Sequence, residues 1–163
     1  MTSNTYIDFS EQHDLSPWEI QNDTVMGGLS HSKLVCNEAG NGVFKGKVSL
    51  ENNGGFAMVQ YYGKPWNVSE YSTVLIRVKG DGKRYQFRIK NQRNDRHSYI
   101  QYFETNGKWQ TISISLDKLT PWFRGKKLDQ SNFKGDCIEG IAFLIGNGKD
   151  EDFSLEIDKI MFG

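Results

Sequence analysis

Thr73-Val74-Leu75-Ile76-Arg77-Val78-Lys79-Gly80-Asp81-Gly82-Lys83-Arg84-Tyr85-Gln86-Phe87-Arg88-Ile89-Lys90 alternates apolar and polar residues on both sides of a Gly-Asp-Gly turn. Period-two alternation marks strands with one buried face. Asp81-Gly82 is a favoured type I′ hairpin turn, because Asp tolerates and Gly readily adopts positive φ. Pairing outward sets Lys79 opposite Arg84, Val78 opposite Tyr85, Arg77 opposite Gln86, Ile76 opposite Phe87 and Val74 opposite Ile89. Every apolar residue then meets an apolar one, and a slip of one position breaks all the pairs. The other face carries Arg77, Lys79, Arg84, Gln86, Arg88 and Lys90. Lys79 across from Arg84 is repulsive unless an anion compensates, either Asp81 or a ligand.

Working outward, 43–50 and 56–62 flank Asn52-Asn53-Gly54-Gly55 and predict a second hairpin. More strands are expected at 99–104, 109–116, 138–145 and 153–161, with one helical turn in 117–123. Many short strands separated by Gly, Asn, Asp or Pro clusters predict an all-β sandwich or barrel. The sequence has no repeat, linker or low-complexity tract, so one domain over 1–163 is expected.

The chain has 163 residues, and its 20 Lys and Arg balance 20 Asp and Glu. Neutrality argues against a nucleic-acid binder that relies on bulk positive charge. No apolar run approaches the ~18 residues of a membrane span. The zero is a cancellation, however. Residues 77–96 carry eight bases and two acids, whereas 136–158 carry seven acids and one lysine.

Met1-Thr2-Ser3-Asn4-Thr5-Tyr6-Ile7-Asp8 has no basic or apolar leader pattern, so a cytoplasmic location is expected. Cys36 and Cys137 lack metal-ligand spacing and read as reduced thiols. His13, His31 and His97 form no ligand pattern, and no nucleophile elbow or phosphate-cradling loop is present. Asp150-Glu151-Asp152 with Glu156 and Asp158 reads as a solvated acidic stretch, with a structural calcium as the alternative. Trp66, Trp109 and Trp122 are core residues or a sugar-stacking platform; Trp109, which opens a strand, is expected in the core.

The most specific stretch is Trp18-Glu19-Ile20-Gln21-Asn22-Asp23-Thr24-Val25-Met26-Gly27-Gly28-Leu29-Ser30. Its adjacent glycines indicate positive φ or close backbone approach, and Asn22 and Asp23 either cap a turn or bind a ligand. Asn53-Gly54-Gly55-Phe56 is a turn or bulge signal and a second candidate loop.

The first stretch and Phe44-Lys45-Gly46-Lys47-Val48-Ser49-Leu50-Glu51-Asn52-Asn53-Gly54-Gly55-Phe56, with Lys79-Gly80-Asp81-Gly82-Lys83-Arg84-Tyr85, Phe103-Glu104-Thr105, Trp109-Gln110, Phe123-Arg124-Gly125 and Phe153-Ser154-Leu155-Glu156-Ile157, resemble the complex I intermediate-associated protein 30 family. The resemblance spans nearly the whole chain and is to a stand-alone, bacterial-type member. It implies a galactose-binding-domain-like jelly roll and a chaperone-like role in assembling the respiratory NADH:ubiquinone oxidoreductase. It implies no catalytic residues and no cofactor. The resulting expectation is a non-catalytic domain that binds a protein partner, such as a respiratory-complex subunit. The expected site combines Asn22, Asp23, Met26, Gly27, Gly28, Asn53 and Gly54 with Arg77, Gln86, Arg88 and Tyr102 on a sheet face. A carbohydrate-binding module is the alternative, and an enzyme on an anionic or sugar substrate a third reading.

Overall fold

The computed structural model describes residues 4–11, 14–63 and 65–163; the side chains of Asn4, Thr5, Tyr6, Val25, Met26 and Asn53 lie outside that description. Its strands are β1 (Asn4–Asp8), β2 (Trp18–Ile20), β3 (His31–Cys36), β4 (Gly42–Val48), β5 (Ala57–Tyr61), β6 (Trp66–Asn67), β7 (Thr73–Lys79), β8 (Arg84–Lys90), β9 (Ser98–Glu104), β10 (Trp109–Ser115), β11 (Thr120–Phe123), β12 (Lys126–Lys127), β13 (Cys137–Ile138), β14 (Gly140–Ile145) and β15 (Glu151–Phe162). The turn expected in 117–123 appears as a 3-10 turn at Leu116–Lys118.

Among the described residues the strands form a six-stranded sheet, β10-β7-β15-β4-β3 with β1 beside β15, and a seven-stranded sheet, β12-β11-β9-β8-β14-β5-β2. β6 and β13 form a small separate ribbon. All pairings are antiparallel. The inner faces of the two large sheets meet in one core. Val74, Ile76, Val78, Leu155 and Ile157 line it from the first sheet, and Tyr85, Phe87, Ile89 and Phe143 from the second. This is the expected β-sandwich jelly roll.

The two hairpins read from sequence are not hairpins. β7 pairs with β10 and β15, while β8 pairs with β14 and β9 in the opposite sheet. Lys79 lies opposite Trp109 and Glu156, and Arg84 opposite Glu104, so the like-charge pair does not exist. A type I′ turn needs positive φ at both central residues. Gly82 has φ +85°, but among the described residues the positive-φ ones other than glycine are Asn52 and Arg124, not Asp81. The chain turns over from one sheet to the other. Likewise β4 and β5 lie in different sheets, so 49–56 is a second crossing.

Side chains staple these crossings. Asp81 Oδ1 accepts the Tyr85 hydroxyl at 3.0 Å and Oδ2 the Ser154 amide at 2.8 Å. Thr105, just past β9, accepts the Gly82 amide at 3.0 Å and donates to the Lys83 carbonyl at 2.7 Å. A Cβ on Gly80 would collide with the Thr105 side chain, so glycine is required there.

Candidate functional site

Asp23 has no exposed surface and sits where two crossings meet. Its Oδ1 accepts the Ser30 amide at 3.0 Å; its Oδ2 accepts the Ser30 hydroxyl at 2.5 Å and the amides of Gly55 at 2.6 Å and Phe56 at 3.2 Å. Burial pushes its carboxyl up, but these hydrogen bonds outweigh that and hold it below the usual carboxylate range. Asn22 Oδ1 accepts the Ser32 hydroxyl at 2.8 Å and the Met58 amide at 3.2 Å. The close approach leaves no room for side chains at two glycines. A Cβ at Gly28 would lie 2.5 Å from Asp23 Cγ, and one at Gly54 2.6 Å from Asp23 Oδ2. Gly27 instead caps the 3-10 turn at φ +86°. The polar groups of this motif pair are therefore engaged with one another. The side chains of Met26 and Asn53 lie outside the described residues.

The four expected sheet-face residues divide. Arg77 lies on the outer face of the six-stranded sheet, 3.0 Å from Asp158 and 4.6 Å above the Trp109 ring. Trp109 thus stands on that outer face, not in the core where sequence placed it. Gln86, Arg88 and Tyr102 come together on the outer face of the seven-stranded sheet, where Gln86 lies opposite Tyr102. Arg88 Nε donates to Gln86 Oε1 at 3.0 Å, and Gln86 Nε2 donates to the Tyr102 hydroxyl at 3.4 Å.

A shallow depression on this face is lined by Arg88, Lys90, Ser98, Gln60, Tyr62, Gly140 and Ala142. β14 runs between β8 and β5, so its small residues Gly140 and Ala142 form a floor between flanking polar side chains. Burial pulls the Arg88 guanidinium down to about 10, and the nearby Tyr102 only partly opposes this. Lys90 is likewise lowered by burial, against the opposing pull of Asp95 and with the help of Arg88. Tyr102 and Tyr62 carry guanidinium groups against their rings, Arg84 at 4.2 Å and Arg93 at 4.4 Å. Gln60, Tyr62 and Ser98 were not singled out in the sequence. Their only signal is polar residues at period-two positions, and reading it requires the strand order.

Several acids of the C-terminal segment have partners within the protein. Glu156 accepts from Asn37 and Asn41, Asp158 pairs with Arg77, and Asp150 accepts the Leu50 amide. Among the described residues no group of three or more His, Cys, Asp or Glu is placed to hold a metal ion. No helix among them is long and apolar enough to cross a membrane.

The architecture is that of a β-sandwich jelly roll. The solved structures it matches include the family 11 carbohydrate-binding module of the Clostridium thermocellum cellulase Lic26A-Cel5E, at TM-score 0.72 and 16% identity, covering 99% of this chain and 95% of that one. The same organism's module in complex with a β-1,3-1,4-mixed-linked tetrasaccharide matches at TM-score 0.69 and 17% identity, covering 98% and 94%. At these identities the likeness concerns the fold. The family follows from sequence: residues 7–157 match the model of Complex I intermediate-associated protein 30, and the chain belongs to that family. The mitochondrial Complex I intermediate-associated protein 30 of Mus musculus is 26% identical over 175 aligned positions, covering 93% of this chain. The chain spans about half the length of that curated relative, 53%.

Proposed function

We propose that this chain is a non-catalytic binding domain of assembly-factor type, which engages a protein partner through the outer face of its seven-stranded sheet. One observation carries the choice of face. On the outer face of the six-stranded sheet Arg77 pairs with Asp158, and the lysines Lys33, Lys45, Lys47 and Lys79 are exposed to water, whereas Arg88 on the other sheet is half-buried. The opposite face keeps Arg88 without a carboxylate partner among the described residues. Family membership supports a partner in the respiratory NADH:ubiquinone oxidoreductase. Both thiols are free, which supports a reducing compartment such as the cytoplasm. Affinity capture with the full chain from its native cells, after cross-linking, tests the reading. Enrichment of that complex's subunits or assembly intermediates is expected, and a capture containing none of them overturns it.

Carbohydrate binding is the second reading. It is supported by the polar sheet face of Gln86, Arg88 and Tyr102 and by the fold shared with carbohydrate-binding modules. A glycan array probed with and without calcium distinguishes the two: specific binding there, with no respiratory protein captured, favours the sugar.

A further inference from the structure

The depression beside Arg88 is unusual in which hydrogen-bonding groups it leaves over. Arg Nε can only donate, so Gln86 Oε1 is consumed as an acceptor by Arg88. Gln60 Oε1 is consumed by the Tyr62 hydroxyl at 2.9 Å. Among the described residues, the Arg88 terminal amines, the Gln60 amide nitrogen and the Ser98 hydroxyl have no protein partner. Lys90 Nζ has one partner, the Asp95 carbonyl at 2.7 Å, which leaves further N–H groups available. Apart from the hydroxyl oxygens of Ser98 and Tyr62, which can also accept, the spare side-chain groups of this depression are donors. A donor-rich, cationic, partly dehydrated recess complements an anion.

Size narrows the anion. The depression has a volume of about 10 Å³, room for about one water molecule. Clefts that enclose whole small molecules run to roughly 300–1,000 Å³. The recess therefore suits a terminal group presented on a larger body. Stacking of sugar rings is disfavoured, since Arg84 and Arg93 each cover one side of a tyrosine ring on this face. Beside the recess on the same outer side of the sheet lie Met58, Ala142 and Leu144, all three buried, with Phe56 packed against them. An Asp or Glu carboxylate carried on a polypeptide is such a terminal group.

We infer that Arg88, assisted by Lys90 and Ser98, is a carboxylate-binding site that receives an Asp or Glu side chain from an acidic segment of a partner protein. The planar fork of Arg88 supplies the two parallel N–H donors that a carboxylate accepts. The inference rests on the protein-binding reading above and names the chemistry of the partner.

The test uses the full chain, labelled with ¹⁵N, and octaglutamate as the probe, with tetragalacturonate as an acidic sugar. Octaglutamate is expected to shift the Arg88 Nε–H resonance. R88Q is expected to weaken its binding about tenfold, the loss of roughly one charge-assisted pair, whereas K45Q, on an exposed lysine of the other sheet, changes it less than twofold. K90Q, which leaves the Arg88–Gln86 bond untouched, is expected to weaken binding less than R88Q. An Arg88 resonance unmoved by octaglutamate, or a response to tetragalacturonate alone, overturns the inference. If respiratory subunits are captured but octaglutamate leaves Arg88 unmoved, the acidic site falls and the protein-binding reading stands. If octaglutamate moves Arg88 but no such subunit is captured, the site stands and that partner set falls.

Discussion

The Asp23 carboxylate accepts the Gly55 amide at 2.6 Å across thirty-two positions of sequence, which ties the crossing from β2 to β3 to the crossing from β4 to β5. Both loops pass between sheets, so one buried side chain holds the edges of the two layers in register. Removing it leaves the amides of Ser30, Gly55 and Phe56 and the Ser30 hydroxyl without their acceptor. We expect D23A to lose about 3 kcal/mol, given ~1.5–3 kcal/mol for a hydrogen bond to a charged group and partial relief by water. For a chain of this size that is roughly a 6–12 °C fall in melting temperature. Denaturant titration with an unchanged slope would check that the folded state alone is affected.

The same carboxylate sets an acid limit. Its folded-state pKa is depressed, so the stability it contributes is complete above the unfolded value of about 3.9 and disappears as pH falls through the folded one. Melting curves of the wild type and D23N should therefore converge as pH drops below about 4. A gap that stays constant down to pH 2 would contradict this assignment.

Adjacent glycines in this motif should respond unequally. Gly28 faces Asp23 with no room for a Cβ, whereas a Cβ on Gly27 meets nothing within 4 Å and G27A suffers only its left-handed backbone, at φ +86°. We expect about 1–2 kcal/mol for G27A and about 3 kcal/mol or more for G28A. Equal losses in urea titrations would mean that the loop opens to accept the side chain.

The strand content was legible in the sequence, and β7 and β8 fall where alternation placed them, at Thr73–Lys79 and Arg84–Lys90. Their pairing was not legible. A hairpin keeps its apolar residues on one face of one sheet, and a crossing turns them toward each other across a core. Both write the same period-two pattern, and Asp81-Gly82 serves either. The difference lies in contacts remote in sequence, such as Asp81 with Ser154 and Thr105 with Lys83. The same ambiguity put Arg77 beside Arg88 when they stand on opposite outer faces. The charge segregation of the chain takes on a physical meaning once this is known. The acidic strand β15 lies beside β7, where Asp158 pairs with Arg77 and Glu156 stands opposite Lys79, and it never reaches Arg88.

Cysteine pairs read this register directly. Lys79 and Glu156 are cross-strand partners, and the Cα atoms of directly opposed residues lie about 4.5–5.5 Å apart, within disulfide reach. With Cys36 and Cys137 replaced by Ser, we expect K79C/E156C to oxidise to an intramolecular disulfide while K79C/R84C stays reduced. Non-reducing gel shifts and thiol titration give the answer. Efficient closure of the second pair would restore the hairpin.

Arg88 should cost the fold stability. Its folded-state pKa of about 10 lies well below the unfolded value, so the charged guanidinium is less at ease in the protein than in water. That cost applies in full below pH 10 and fades as pH rises from there toward the unfolded value, where the unfolded chain also loses the proton. Replacing an unpaired, desolvated charge with an apolar side chain of similar length is often stabilising by roughly 1–4 kcal/mol. Part of the gain is lost, because Gln86 Oε1 then needs a water in place of Arg88 Nε, at about 1 kcal/mol. We therefore expect R88M to be more stable than the wild type by about 1 kcal/mol at pH 7, a rise of roughly 2–4 °C. The advantage should hold from pH 6 to 9 and narrow above 10. A less stable R88M would mean that Arg88 is held for structure, and a more stable one that binds octaglutamate poorly would mean that it is held for its ligand.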